Sequence, residues 1–223
     1  MTYKNIFKKP SIVGLFVTCL ASPLIANSEG YRLPDNASIE KDSGAMSELI
    51  NRLEPVKHFS GNFTQKVFDA DGNMLQQGSG TLSISKPNKL NWKTVEPEES
   101  IIVSNGETLW FFDPFIEQVT AYNFESAVAN TPILLITNND RSLWDNYTIS
   151  KSDNRFDIRS RDDEAQVKVL SLYFEGTMIS KIDIEDVTGQ ISKIQLTDIN
   201  TDKPEPSLFE FVIPEGIELD DQR

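Results

Sequence analysis

The sequence predicts a mainly β protein, an antiparallel sandwich or barrel preceded by one amphipathic helix. Short apolar segments recur from about residue 59 onward, separated by turn residues at the spacing expected of such folds. Apolar residues at helical spacing come just before them, from Met46. Residues 45–223 are therefore expected to form a single domain.

The first 28 residues have the pattern of a signal peptide. Three lysines near the start precede an apolar stretch from Ile12 to Ala26. A membrane anchor needs about 20 predominantly apolar residues, and this stretch is shorter and is interrupted by Pro23. Cleavage after Ser28 fits the small residues there, with cleavage after Ala26 as the alternative. We therefore expect residues 1–28 to be removed and the rest of the chain to be exported.

Cys19 lies inside this stretch and is the one cysteine of the chain. A lipidated cysteine would anchor the mature protein to a membrane. However, Phe16–Cys19 matches the lipidation pattern poorly, because that pattern has an aliphatic first residue and a small residue before the cysteine. We interpret Cys19 as an incidental residue lost on cleavage. The mature chain then has no thiol for a disulfide, a metal site or a nucleophile.

The chain is strongly acidic. Its formal net charge is −13, and loss of the signal peptide with its three lysines makes it −16. Nucleic-acid binding requires a basic surface that neutralises phosphates, and an anionic membrane would also repel this chain. We expect no nucleic-acid partner, and a solvated, repulsive surface that favours a monomer.

A leader and a helix precede the strands. Residues 29–44 are polar and have no apolar period, so we expect them to be disordered. From Met46 the spacing becomes helical, and Glu54-Pro55 limits the end of the helix. The apolar stripe of this helix consists of Leu49, Ile50, Leu53 and Val56.

Nearly everything after this helix has the pattern of β-strands. Phe59, Phe63 and Val67 share one face of the first predicted strand, which ends at a turn around Gly72. The other predicted strands contain Leu82/Ile84, Leu90/Trp92, the Ile101–Val119 hairpin, Tyr147/Ile149, Phe156/Ile158, Val167–Phe174, Met178–Ile184, Ile191–Leu196 and Phe209/Phe211/Ile213.

The predicted hairpin has an unusual second strand. Asn105-Gly106 predicts its tight turn, because both residues tolerate a positive φ. A strand with one wet face alternates apolar and polar residues, whereas Leu109–Phe112 is apolar on both faces. Each face must therefore be covered by a helix, a second sheet or an apolar ligand. Further on, Thr131-Pro132 predicts the start of a short helix through Ile136, with a buried strand as the alternative.

The chain offers little for catalysis. His58 is its one histidine, so any Ser-His-Asp triad or zinc site would have to use it. No serine lies in a Gly-x-Ser-x-Gly elbow. The acidic segment Asp69–Asn73 fits a hairpin turn better than a calcium loop, because its glycine is misplaced and the closing glutamate is absent. We expect no catalytic residues, no metal and no cofactor.

What remains is an excess of apolar residues for one antiparallel sheet. The helix stripe, the aromatic residues of the hairpin and Ile133–Ile136 add to those of the strands. Composition alone leaves two interpretations open. Helices could plug a curved sheet in a plain core, or a barrel-like sheet could enclose a cavity for an apolar ligand under a mobile helix.

Six segments carry recognisable motifs in a characteristic order. They are Phe59–Val67, Gly80–Trp92, Pro97–Gly106, Leu109–Gln118, Asn130–Ile136 and the terminal Asp220–Arg223. In residues and spacing they resemble the periplasmic outer-membrane lipoprotein carrier family, LolA. The resemblance runs from about Met46 to Arg223, and the leader has no clear counterpart.

The resemblance implies a fold and a function. The fold is an incomplete, strongly curved antiparallel β-barrel with an α-helical lid. The function is that of a soluble periplasmic carrier, which binds the acyl chains of lipoproteins in a hydrophobic cavity. It takes them from an inner-membrane ABC-type release complex to an outer-membrane receptor lipoprotein. The alternatives are the lipid-anchored receptor of related fold, a carrier of another amphiphile such as a fatty acid or glycolipid, and an enzyme acting on envelope lipids.

The resemblance also implies site residues. In the family, an arginine before the proline that matches Pro87 bonds to carbonyls of the lid helix. Here that position is Lys86, which lacks the planar fork of donors, so we expect a weaker lid latch to carbonyls near Leu134–Ile136. By family correspondence, the acyl-binding cavity is expected to be lined by Leu53, Phe59, Leu90, Trp92, Phe115, Ile133 and Ile136.

Overall fold

One large antiparallel sheet dominates the fold, with short helices packed on one of its faces. The computed structural model describes residues 43–128, 134–138 and 140–223. The predicted signal peptide, and the predicted leader up to residue 42, lie outside these ranges.

Three α-helices lie within the described ranges. They are α1, Ser43–Leu53, α2, Phe124–Val128, and α3, Leu134–Thr137. Two 3-10 helices, Arg141–Asn146 and Pro206–Phe209, were not predicted. The predicted amphipathic helix is α1, and α3 matches the end of the predicted short helix. The predicted start of that helix, at Thr131-Pro132, lies outside the described residues.

The sheet contains twelve strands in an unclosed arrangement. Their order is β12-β6-β5-β4-β3-β2-β1-β11-β10-β9-β8-β7, so β12 and β7 form its two edges. All neighbours are antiparallel except β12, which runs parallel to β6. The strands are β1 His58–Phe68, β2 Met74–Ser85, β3 Lys89–Glu96, β4 Ser100–Asn105, β5 Thr108–Asp113, β6 Gln118–Asn123, β7 Tyr147–Ser152, β8 Arg155–Ser160, β9 Val167–Glu175, β10 Met178–Asp186, β11 Ile191–Asn200 and β12 Glu218–Asp221.

Right-handed strand twist accumulates over so many strands and curves the sheet. The curved sheet carries one buried apolar cluster, to which helices α1, α2 and α3 also contribute. We call the side of the sheet that bears this cluster the inner face. The mainly β fold with an incomplete, curved barrel is thus confirmed.

The centre of the sheet is held by β1, which pairs with both β2 and β11. Its predicted apolar face is confirmed, since Phe59, Phe63 and Val67 are all buried. The Phe63 ring lies 4.3 Å from the ring of Trp92 on β3. Gly80 on β2 makes this approach possible, because a Cβ there would lie 2.8 Å from Cζ of Phe63 and would also collide with a backbone carbonyl of β3.

Helix α1 packs its apolar stripe against the inner face. Leu49 is fully buried and Leu53 nearly so. The Arg52 guanidinium lies over two aromatic rings of the sheet, 5.4 Å from the Phe156 centroid and 5.1 Å from that of Phe174. A helix of 11 residues is marginal in isolation, so these contacts with the sheet provide most of its stability.

The predicted hairpin is formed by β4 and β5, but its turn lies one residue later than expected. The connection is Gly106–Glu107, and Gly106 has φ +105°, which a residue with a side chain rarely adopts. Asn105 instead ends β4, and its Oδ1 accepts hydrogen bonds from the backbone N–H groups of Glu107 and Thr108, both at 2.9 Å. The asparagine therefore stabilises the turn from outside its centre.

The two faces of β5 are covered by different parts of the chain. Leu109 is fully buried in the inner-face cluster, and Phe111 packs against that cluster. On the opposite face, the rings of Trp110 and Phe112 lie 6.1 and 5.8 Å from the ring of Phe211. One face of β5 thus packs in the buried core beneath the helices, and the C-terminal segment covers the other face.

The strand predicted at Phe209/Phe211/Ile213 is wrong. Phe209 ends a 3-10 helix and is buried, and Phe211 follows in irregular structure. The backbone carbonyl of Leu208 accepts a hydrogen bond from the Asn91 side chain at 2.7 Å, which fixes this segment across β3. The last strand, β12, pairs instead with β6 and was not predicted.

Candidate functional site

The inner face and its helices enclose a continuous apolar interior. Of the seven residues predicted to line a cavity, five belong to this cluster: Leu53, Phe59, Leu90, Trp92 and Ile136. Each is at most 7% exposed. The structure brings Leu53, Phe59 and Ile136 together around one crevice, while Leu90 and Trp92 are buried elsewhere in the cluster.

Two of the seven residues do not join this cluster. Phe115 is 74% exposed, so the expectation that it lines the interior is wrong for this structure. The reason is that β5 ends at Asp113, whose side chain accepts a hydrogen bond from the Phe115 N–H at 2.9 Å and holds it in the surface turn before β6. Ile133 lies outside the described residues.

The crevice lies where the end of α1 and helix α3 meet the sheet. Its lining residues are Leu53, Val56, Lys57, His58, Phe59, Ile84, Lys86, Ile136, Phe174, Thr177, Met178 and Ile179. The space open to the centre of a water molecule is about 20 Å³, within a total of about 390 Å³ that includes open solvent. That is room for about one water molecule, so the crevice is closed in this structure.

Sequence reasoning missed part of this lining. Ile84 and Ile179 are buried strand residues on the inner face. The predicted strands around Leu82/Ile84 and at Met178–Ile184 already placed them in β-structure. Their position beside the crevice depends on the curvature that brings β2 and β10 near the same helices, and the spacing of residues in the sequence contains no such information.

Lys86 holds a helix, but not the one expected. Its Nζ donates a hydrogen bond to the carbonyl of Leu53 at 2.8 Å. Leu53 ends α1, and the last carbonyls of a helix have no partner within the helix. The expected acceptors near Leu134–Ile136 are therefore wrong for this structure. Lys86 closes the C-terminal end of α1 against β2.

The surroundings of Lys86 disfavour its charge. Burial, together with the nearby charge of Lys57, lowers the pKa of the Lys86 ammonium to about 8, while Glu54 acts in the opposite direction. The Glu54 carboxylate itself accepts a hydrogen bond from the Arg141 guanidinium at 2.7 Å. Lys86 is thus a partly desolvated cation near another cation.

Helix α3 is held by a different residue, Asn88 in the turn between β2 and β3. The Asn88 N–H donates to the Thr137 carbonyl at 2.8 Å, and the Asn138 side-chain amide donates to Asn88 Oδ1 at 3.0 Å. Asn88 has φ +61°, a conformation that asparagine tolerates better than most residues. The sequence did not predict this contact between Asn88 and α3.

The described residues show no arrangement typical of a metal site. Within residues 43–128, 134–138 and 140–223, no three His, Cys, Asp or Glu side chains come close enough to hold a metal ion. His58 Nδ1 lies 3.0 Å from the Ser85 hydroxyl at the end of β2. None of the helices in those ranges is long and apolar enough to cross a membrane.

Comparison with known proteins identifies the family. The family model for the outer membrane lipoprotein carrier protein LolA matches residues 54–212, well over half of the chain. The chain belongs to the LolA family. The resemblance seen in the sequence motifs is thereby confirmed, and the family is one of carrier proteins.

Individual LolA relatives align over nearly their whole length. An outer-membrane lipoprotein carrier protein of Aeromonas salmonicida is 39% identical over 190 residues, which cover 84% of this chain and 94% of the relative. Another, of Photobacterium profundum, is 35% identical over 213 residues, covering 95% and 100%. The crystal structure of the LolA superfamily protein NE2245 from Nitrosomonas europaea superposes with a TM-score of 0.46 at 12% identity, covering 75% of this chain and 98% of that one.

Proposed function

We propose that this protein is a periplasmic carrier that binds the acyl chains of lipoproteins. The observation that carries the proposal is the apolar interior of an unclosed sheet, covered by helices α1 and α3, of which 11 and four residues are described. The relatives named outer-membrane lipoprotein carrier proteins support it. The signal-peptide pattern of residues 1–28 supports a periplasmic location.

The energetic need for such a carrier follows from the cargo. Each methylene group of an acyl chain is worth about 0.8 kcal/mol when buried, so exposing several chains to water costs tens of kcal/mol. The closed crevice has room for about one water molecule, so the helices must move away from the sheet before acyl chains can enter. Short helices are marginal on their own, and this makes their displacement inexpensive.

The contacts that close the crevice suit reversible opening. Lys86 makes one hydrogen bond to the end of α1, and Asn88 takes part in two near the end of α3. The acyl chains would replace the helices as apolar partners of Phe59 on β1, and the sheet as the apolar partner of Ile136 on α3. In this proposal Leu53, Phe59, Leu90, Trp92 and Ile136 contribute to the acyl-binding surface, and Lys86 stabilises the closed state.

We further propose that cargo arrives from an inner-membrane ABC-type release complex and leaves to an outer-membrane receptor lipoprotein. A carrier that hides acyl chains must bind them more weakly than the receptor does, since the difference in binding free energy sets the direction of transfer. The partly desolvated Lys86 and the short α3 keep the empty state closed only moderately well. Because release returns the protein to the closed empty state, such a weak closure favours uptake, and release then depends on tighter binding of the acyl chains by the receptor.

The experiment is co-expression of the chain with a triacylated lipoprotein. We expect a soluble one-to-one complex, isolated without detergent. Ile136→Asn places a polar group at the crevice and should lower the yield of complex, because the amide must lose its water when acyl chains enter. Ile116→Asn is the matched control, since Ile116 is 54% exposed on the surface turn before β6.

The outcomes test the carrier role and the assignment of the crevice separately. Absence of a soluble complex with the parent chain would overturn the carrier role. A folded Ile136→Asn variant, checked by circular dichroism, that carries lipoprotein as well as the parent would overturn the assignment of the crevice. A loss that is equal in Ile116→Asn would also count against that assignment.

A further inference from the structure

The crevice is lined in part by lysines, although the chain is strongly acidic. Two lysines, Lys57 and Lys86, belong to its lining, whereas the whole chain has a net charge of −13. The neighbouring acid, Glu54, is paired with Arg141 at 2.7 Å. The described residues that line the crevice include no acid, so their formal charge is opposite in sign to that of the molecule.

The Lys86 ammonium has further N–H groups that could donate hydrogen bonds to a ligand. An ammonium has three N–H donors, and one of them is directed to the Leu53 carbonyl at 2.8 Å. Burial and the charge of Lys57 lower its pKa to about 8, so the cation is destabilised where it lies. An anion bound beside Lys86 would relieve both effects, because it adds a charge-assisted hydrogen bond and offsets the neighbouring cation.

Apolar residues share the crevice with these lysines. Phe59, Ile136 and Ile179 line the same crevice and are at most 8% exposed. Only a small displacement of α3 would be needed for one acyl chain to pass between them, compared with that needed for the several chains of a lipoprotein. The presence of lysines and buried apolar side chains in one crevice matches an amphiphile with an anionic head and one chain.

We propose that this crevice also binds a single-chain anionic amphiphile, a long-chain fatty acid in its ionised form. Its carboxylate lies against the Lys86 ammonium, and its chain lies between Phe59, Ile136 and Ile179. This ligand goes beyond the proposed lipoprotein carriage, because the ester and amide groups that attach acyl chains to a lipoprotein are uncharged. Free fatty acid would then compete with lipoprotein acyl chains for the empty carrier.

The test is displacement of a fluorescent fatty acid, dansyl-undecanoic acid, from the purified chain without its signal peptide. Palmitate, hexadecanol and lysophosphatidic acid are compared as competitors below their micelle concentrations. We expect palmitate to bind about tenfold more tightly than hexadecanol, since the alcohol can accept a hydrogen bond from Lys86 but carries no negative charge to pair with it. Stronger competition by lysophosphatidic acid than by palmitate would overturn the fatty acid as the ligand in favour of a phosphate head.

The variants test the position of the head group. Lys86→Gln should bring the palmitate-to-hexadecanol ratio close to one, whereas Lys203→Gln, at an exposed residue, should leave the ratio unchanged. The ratio is informative even if loss of the contact with Leu53 changes the affinity for every chain. The proposal would be overturned if Lys86→Gln still bound palmitate more tightly than hexadecanol. It would also be overturned if the parent bound both competitors equally, or if it did not bind the probe. The lipoprotein complex is measured separately, so such a failure leaves the carrier role standing.

Discussion

Replacing Lys86 by methionine removes a partly buried ammonium and retains an unbranched side chain. In the parent, burial lowers the pKa of Lys86 from 10.5 to about 8. Between about pH 8 and 10.5 the unfolded chain therefore binds more protons than the folded one. Relative to Lys86→Met, the free energy of unfolding of the parent must therefore rise with pH through this window, because deprotonation removes the cost of the desolvated charge. Lys86→Met lacks this contribution.

The size of the rise follows from the shift and from the exposure of the group. One pKa unit corresponds to about 1.4 kcal/mol. Because Lys86 keeps contact with solvent, which screens its interactions, we expect a gain of about 1–2 kcal/mol in the parent relative to Lys86→Met. The assay is urea unfolding from about pH 7 to about pH 10.5, followed by the fluorescence of the buried Trp92 and Trp144.

Lys86→Arg provides the matched control. Arginine keeps its charge throughout this range, so its stability should run parallel to that of Lys86→Met although a cation is present. Parallel curves for the parent and Lys86→Met would refute the reasoning, and so would a parent that loses stability relative to Lys86→Met as the pH rises. A direct NMR titration of the Lys86 side chain would show the midpoint near pH 8.

Three further predictions concern stability measured by urea or thermal unfolding. Phe211→Ala removes two ring contacts and should lower the free energy of unfolding by about 1–3 kcal/mol. Val212→Ala, at a residue 84% exposed, should change it by less than about 0.5 kcal/mol. Equal effects of the two substitutions would contradict the packing of Phe211 on β5. Gly80→Ala should cost about 1–3 kcal/mol through its collision with β3 and Phe63, and a variant as stable as the parent would show that the strands yield there. Ser104→Ala should cost about 1–3 kcal/mol, because the buried hydroxyl donates to Asn88 and accepts from the Gly106 N–H; a cost near zero would mean that water replaces it.

Local patterns predicted the elements whose contacts are periodic. The stripe from Leu49 to Leu53 predicted α1, and the spacing of Phe59, Phe63 and Val67 predicted the buried face of β1. These patterns succeed because a helix or strand directs residues of fixed spacing to one side. The fold class follows from many such segments.

The same logic failed at the C-terminal segment. Phe209, Phe211 and Ile213 alternate like a strand, but alternation shows only which residues share a side and not whether the backbone pairs. Pro206 and Pro214 flank these residues and lack the N–H group that a ladder requires. The segment instead covers β5, and the short acidic β12, which has no strand pattern, takes the pairing position beside β6.

By itself, the sequence determined a mainly β chain with an amphipathic helix, an apolar excess and motifs of the LolA family. Tertiary structure alone decided that Lys86 meets the end of α1, that Phe115 lies at the surface and that Phe211 covers the outer face of β5. The physical reason is that these contacts join residues far apart in the chain. Their meeting depends on the curvature of twelve strands and on the positions of the helices against them, which no local spacing encodes.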